Sequence, residues 1–305
     1  MRLLIIRLSA FGDVIHTLPA VVALRDAGHE ITWVVERPYR ELVARVGNVD
    51  TISVSMKKWG RAFVSSRGEI FAARAAMRGF DAAIDFQGLI KSASLAWVSH
   101  APLRYGFDRE AIRENPAGVF LNRRVAIDRT QHVVEWNFAL AHAVEPAIVN
   151  VPHVDYAPFL GEVPEALRNR IVLLPATGQE QKEWGAENFR ELAQRLGDAA
   201  LVVWGPGEEE LAHAVGAEVA PPTNLSELAA VLRAAKLVVG GDTGPLHLAA
   251  ALESRVVGLF GPTNPARNGP WGQLANVVES FSTTKSMQSI SVEDVMKKID
   301  QVLTG

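Results

Sequence analysis

The 305-residue chain contains no cysteine, which excludes disulfides, thiolate metal sites and a cysteine nucleophile. It also has no stretch approaching the roughly 18–20 uninterrupted apolar residues that a membrane-crossing helix needs. Its opening, MRLLIIRLSAFGD, meets Arg7 and Asp13 too early for a secretory signal. A cytoplasmic protein without a transmembrane segment is therefore expected. The loop after the first strand has neither the G-x-G-x-x-G spacing of a dinucleotide fold nor the G-K-[ST] of a P-loop. No D-x-D triplet and no H-E-x-x-H spacing occurs, so a dedicated metal site is not expected. A cofactor and a nucleic-acid partner are not expected either. Low-complexity tracts and short-period repeats are absent as well.

A hydrophobic content of 48% over this length suffices to bury two cores of ordinary domain size. The net charge of -3 hides an asymmetry: residues 1–160 carry 19 Lys+Arg against 16 Asp+Glu (+3), and the remainder 12 against 18 (-6). A basic first half points either to an acidic partner there or to an ordinary solvated surface.

Periodicity in the first half alternates short β-rich runs with helical spacing: RLLIIRL, PAVVALRDAG, ITWVVE, a helix near 39–46, TISVS, a helix through 61–79, DAAIDFQ and LIKSASLAWV. The proline-rich segment 146–169 reads as a linker between a domain of residues 1–155 and one of residues 165–305. A second series follows: RIVLLPA, a helix at 186–197, AALVVWG, a helix near 207–216, NLSELAAVLRAA, KLVVGG, a helix at 245–253 and RVVGLFG. The pattern predicts an α/β protein of two doubly wound, Rossmann-like domains facing a central cleft. The last helix, SVEDVMKKIDQVL, fits either domain. Ligands of open parallel sheets lie beyond the carboxyl ends of the strands. Residues 8–17, 85–91, 176–184, 204–210 and 241–247 are therefore the segments to weigh.

The most telling of these runs from Lys236 to Leu252, KLVVGGDTGPLHLAAAL. A strand ending in two glycines passes through Asp242-Thr243-Gly244-Pro245 straight into a helix, whose free N–H groups and partial positive charge suit an anion. His247 projects from the first turn. Asp-Thr-Gly is also the triplet of aspartic proteases, but those need two copies sharing a proton, and this chain has one. Asp242 is then either a helix cap or part of a ligand site.

In the loop Ala176–Trp184, Thr177 and Gly178 offer a hydroxyl and backbone N–H groups, and Lys182 offers a mobile charge to the same anion or simply to water. After AALVVWG, Glu208, Glu209 and Glu210 either meet ribose hydroxyls or favour a helix start. In the first domain, Asp13 is either an N-cap or a general base, with His16 and Thr17 supporting its loop. Asp85, Gln87 and Lys91 surround the end of another strand. Arg104, Arg109, Arg113, Arg123 and Arg124 either recognise carboxylates or phosphates or pair with Asp108, Glu110 and Glu114.

With these residues in view, the chain resembles the lipopolysaccharide heptosyltransferases, metal-independent glycosyltransferases of the GT-B fold. The likeness spans nearly the whole chain through FGDVIHTLPA, IDFQGLIKSA, GFDRE, FLNRR with QHVVE, ATGQEQKEW, WGPGEEE, DTGPLHLAAAL and GPTNPARNGP. The GFDRE and NRR…QHVVE segments are most similar to the branch that adds the first heptose to Kdo. The resemblance implies inverting transfer of L-glycero-D-manno-heptose from ADP-heptose to Kdo of the inner core. It makes Asp13 the general base and sets Lys182 on the diphosphate, with Thr177, Gly178, Glu208, Asp242, Thr243, Gly244 and His247 around the donor. Where relatives carry Thr-Thr, this chain has Thr177-Gly178 and one hydroxyl fewer. The implied acceptor, an acidic Kdo-lipid A, suits the basic first domain. Lys57, Arg61, Gln87, Lys91, Arg109 and Arg113 are the candidates for binding it, at the inner face of the inner membrane without an anchor.

Overall fold

Aliphatic and β-branched runs alternating with helical spacing fold into two parallel sheets in the computed structural model, which describes residues 1–62 and 64–305. The chain divides into two units, Met1–Asp155 and Tyr156–Gly305.

The first unit contains, in chain order, β1 (Arg2–Ile6), α1 (Phe11–Asp26), β2 (Glu30–Glu36), α2 (Arg40–Ala44), β3 (Val49–Val54), α3 (Met56–Arg61) and α4 (Arg67–Ala76). There follow β4 (Ala82–Asp85), α5 (Ile90–Val98), β5 (Leu103–Phe107), β6 (Arg123–Val125) and α6 (Val133–Val144). The strand order is β3-β2-β1-β4-β5-β6, parallel throughout. Leu3, Leu4, Ile5 and Ile6 of β1 are all fully buried, as a strand covered on both faces requires. One face of the sheet carries α3, α4 and α5, whose Trp59, Ala73 and Leu95 share a core with Leu4, Ile6 and Val34. On α6, Asn137 donates through Nδ2 to the His16 carbonyl of α1 at 3.0 Å, tying those two helices together.

The second unit repeats the plan: β7 (Ile171–Leu174), α7 (Ala186–Leu196), β8 (Ala200–Val202), α8 (Glu209–Ala214), β9 (Glu218–Val219), α9 (Leu225–Ala234) and β10 (Leu237–Gly241). Then come α10 (Gly244–Ala251), β11 (Val256–Phe260), α11 (Pro265–Asn268), β12 (Val277–Glu279) and α12 (Val292–Thr304). Its order, β12-β11-β10-β7-β8-β9, is the same arrangement once its strands are counted from β7. The last helix, which the sequence leaves free to join either domain, packs in the second unit: Val292, Val295 and Ile299 enter a core with Leu173, Val257 and Leu259. Tyr156, Phe159 and Leu167, within the proline-rich segment, are buried too. Asn169 there donates its backbone N–H to the Ala234 carbonyl at 2.8 Å.

Four strands escape the periodicity. β5 has Arg104 and Tyr105 at its centre, β6 and β12 have three residues each, and β9 has two. Short edge strands (β6, β9 and β12) and a polar inner one (β5) leave little alternation to read. The helix expected through 61–79 is instead two, α3 and α4. Gly60, Ser65, Ser66 and Gly68 favour the break, since glycine costs helix entropy and serine hydroxyls compete for backbone groups. Ser65 Oγ donates to the Ala62 carbonyl at 3.2 Å.

At Gly240 in β10, an added Cβ would sit 2.8 Å from the Leu174 Cβ of the neighbouring strand β7. We expect Gly240→Ala to destabilise the protein by about 1–3 kcal/mol through overpacking, read as a lower urea midpoint with an unchanged m-value.

Candidate functional site

In each unit the strand order reverses between two neighbours, β1 and β4 in the first and β7 and β10 in the second. A crevice opens beyond the carboxyl ends of such a pair. The four loops that leave these strands carry most of the residues singled out from the sequence.

In the second unit, Gly240 and Gly241 end β10 and Asp242 follows. Its carboxylate is almost fully enclosed and doubly paired: Oδ2 lies 2.7 Å from Lys182 Nζ and Oδ1 lies 2.9 Å from His247 Nε2. Burial alone would raise the Asp242 carboxyl, but the His247 hydrogen bond and the positive charges of His247 and Lys182 outweigh it and hold it at about 2. A carboxylate held this way is a poor proton acceptor. It is well suited to fix a lysine and a histidine in place.

Lys182 reaches Asp242 from the loop after β7, and its ammonium has three donors, of which this pair uses one. Thr243 is the N-cap of α10, in extended conformation at φ -134° and ψ 158°, and its hydroxyl is buried with no partner among the described residues. Gly244 and Leu246 at the helix start have N–H groups without an intrahelical acceptor, and Pro245 between them has none to satisfy. Lys182, held on Asp242, is thus brought beside the start of α10, where Thr243 and the free N–H groups follow directly.

The remaining second-unit candidates are more occupied. Thr177 Oγ1 donates to the Gln179 carbonyl at 2.7 Å and closes its own turn. Nothing stands within 4 Å of where a Cβ would project from Gly178. Glu208 caps α8, and its Oε2 accepts the Gly205 N–H at 2.7 Å. That bond folds Glu208 back on its loop and leaves its other oxygen for a ligand. Glu209 and Glu210 lie exposed in the first turn of α8.

In the first unit, Asp13 sits in the first turn of α1, where Oδ2 accepts the Ala10 N–H at 3.3 Å. Its Oδ1 lies 2.6 Å from Arg7 Nη2, and its Oδ2 lies 3.7 Å from Arg113 Nη1. The Arg7 side chain is only 4% exposed, whereas Arg113 is 53% exposed. Arg7 also donates to the Phe86 carbonyl at the end of β4, so it bridges the two strands at the crevice. Sequence reading used Arg7 only as a charge that argues against a signal segment. The available signal was a charge inside RLLIIRL, which burial obliges to find a partner.

Arg113 comes within reach of Asp13 because its backbone crosses the loop after β4. There Gly88, at φ +70°, leaves the Arg113 nitrogen 3.1 Å from where a Cβ would project. Gln87, a candidate for the acceptor, is buried instead, and its Oε1 accepts the Leu8 N–H at 2.9 Å. Asp85 is fully buried, with Oδ1 accepting the N–H groups of Gln87 at 2.9 Å and Gly88 at 3.2 Å. Burial pushes its carboxyl up to about 6, against the pull of Gln87, Ser92, Gly88 and the Arg7 charge. Both side chains brace the loop. Lys91 on α5 and Lys57 and Arg61 on α3 are on or near the surface, and Arg109 lines a small cavity of about 70 Å³ with Arg124.

The Asp242 carboxyl titrates lower folded than its ordinary 3.8. Its contribution to stability is therefore complete above pH 3.8 and disappears as the pH falls through about 2. By the same linkage it is on the order of 2 kcal/mol. We expect Asp242→Asn to lower stability at pH 7 by about that amount and to flatten the acid limb of a denaturation series over this window.

Comparisons with known proteins give one consistent result. Glycosyltransferase family 9 (heptosyltransferase) matches residues 72–300. The lipopolysaccharide heptosyltransferase 1 of Escherichia coli K12 is 33% identical, over 99% of this chain and all of that protein. The solved structure of the E. coli heptosyltransferase WaaC with ADP superposes with a TM-score of 0.86 at 33% identity, covering 99% of this chain and 100% of that one. WaaC with ADP-2-deoxy-2-fluoro heptose gives 0.83, again at 33% identity and with 99% of each chain covered.

Proposed function

Since the chain belongs to glycosyltransferase family 9, the heptosyltransferases, we propose that it transfers L-glycero-D-manno-heptose from ADP-heptose to a Kdo hydroxyl of the lipopolysaccharide inner core. The cluster of Lys182, Asp242, Thr243 and His247 at the start of α10 is the observation that carries this reading. Breaking the anomeric bond leaves negative charge on departing ADP. Lys182, the Thr243 hydroxyl and the N–H groups of the helix start are set to receive that charge. Asp242 then serves as the organiser that holds Lys182 and His247, and Glu208 offers its free oxygen to the nucleotide.

On this reading the second unit holds the donor and the first supplies acceptor contacts and the base. Asp13 takes the proton of the attacking hydroxyl as its oxygen bonds to the anomeric carbon. The sugar–phosphate bond breaks on the other side, the electron pair leaves with ADP, and the configuration inverts. Arg7 orients Asp13 from below, while Arg113, more exposed, is free to meet an anionic group of the acceptor. Arg109, Lys91, Lys57 and Arg61 supply further positive charge to the same end. The acceptor on this reading is lipid-borne, and the working enzyme visits it as a peripheral protein at the inner face of the membrane.

A positioned base contributes about 10²–10⁴-fold to rate. Asp13→Asn is expected to lose turnover by that order while titration calorimetry shows ADP affinity retained. Near-normal turnover of that variant removes Asp13 from the role. Lys182→Ala should weaken ADP binding, and unchanged affinity would exclude a diphosphate contact. Mass-spectrometric assays with ADP-heptose and Kdo₂-lipid A test the reaction itself. Consumption of ADP-heptose without the acceptor would identify an epimerase or hydrolase instead.

A further inference from the structure

The helices on one face of the first sheet also carry exposed side chains, on α4 and the outer side of α5, that the proposed chemistry does not use. α3, α4 and α5 all send side chains into a single core, with Trp59, Ala73, Met77, Leu95 and Ala96 packed against the strands. The sides not turned to that core stay exposed. On α4 and its exit, Arg67, Phe71, Arg74 and Arg78 recur at the spacing of one helical face and are all exposed, Phe71 by 66%. On α5, Ile90 and Trp97 point outward, Trp97 being 56% exposed. The Trp97 ring lies 6.3 Å from that of Phe120, on the turn that also presents Val119, 75% exposed.

Exposed large apolar side chains are unevenly shared among the described residues. Val64, Phe71, Ile90, Trp97 and Val119 lie on or beside these helices, whereas the second unit exposes only Leu160 and Leu274. Charge is concentrated in the same place. Between Val64 and Arg78 there are three basic residues, Arg67, Arg74 and Arg78, and one acid, Glu69, in a chain whose net charge is -3. Aromatic rings set among arginines on a helix surface suit the boundary between headgroups and acyl chains, where apolar burial and phosphate attraction add.

We propose that this face docks on an anionic phospholipid surface, with Phe71, Trp97 and Val119 entering the headgroup boundary and the α4 arginines meeting lipid phosphates. A second copy presenting the same patch would set arginine against arginine. A leaflet of phosphates complements it. The proposal deepens the reading above, because an acceptor embedded in a bilayer requires the enzyme to come to it.

The test is co-sedimentation of the full chain with phosphatidylcholine vesicles, with and without phosphatidylglycerol. The wild type should partition to the anionic vesicles and be released by salt. Phe71→Ser with Trp97→Ser, and separately Arg67→Glu with Arg74→Glu, should each lower partitioning by at least about tenfold. Melting temperature, ADP affinity and turnover on a lipid-free Kdo acceptor should be unchanged. Equal partitioning of wild type and variants overturns the proposal, as does a wild type with no preference for anionic vesicles. Loss of turnover on the lipid-free acceptor in the variants also overturns it, by assigning the face to the acceptor site. Failure of the wild type to turn over that acceptor, with vesicle binding intact, would count against the transferase reading alone.

Discussion

Two neighbouring parallel strands whose following helices leave on opposite faces of the sheet cannot both have their shared ends covered, and the crevice of each unit depends on that constraint. In the first unit α5 follows β4 into the core formed with α3 and α4, while α1 follows β1 to pack with α6. In the second, α7 joins the core with α12, and α10 follows β10. The loops after β1, β4, β7 and β10 are therefore left open to ligand while the strands beneath them stay dry. Asp13, Gln87, Lys182 and Asp242 all belong to those loops or their helix starts.

Charge buried at these strand ends is what gives the loops a defined shape. Arg7 would be costly in the apolar interior of the sheet without acceptors, and it finds them in Asp13 and the Phe86 carbonyl. Asp242 is likewise tolerable only because Lys182 and His247 neutralise it. Asp85 takes the other course: its enclosure favours the neutral acid, and backbone N–H groups offset part of the cost. The two aspartates show how burial leads to opposite shifts, according to whether a cation is in direct contact. That difference separates Asp242 from Asp13, which keeps a more exposed position beside the half-exposed Arg113.

The surfaces divide along similar lines. The first unit carries the basic excess and most of the exposed apolar side chains, concentrated on helices remote in sequence from the Asp242 cluster. The second unit is acidic and exposes few large apolar groups, yet it contains the cluster most suited to an anion. Overall charge is thus a poor guide to where a phosphate binds; a few donors held in a buried, preorganised arrangement outweigh the mean field of the surface.

The sequence by itself determined the α/β class, the repeated doubly wound plan and the central strands, because strands buried on both faces leave long apolar runs that no other arrangement accommodates. It also determined the helix start at Thr243-Gly244-Pro245, since those residue types report local backbone geometry. The edge strands β6, β9 and β12 and the inner strand β5 were not legible, being too short or too polar to show a period. Nor were the partners of the charged groups. That Lys182 meets Asp242 across 60 residues, that Arg7 holds Asp13 beside its local bond to the Ala10 N–H, and that Gln87 turns inward to Leu8 were decided by tertiary structure. Pairing across distant segments depends on which strands lie side by side, and local periodicity contains no record of that.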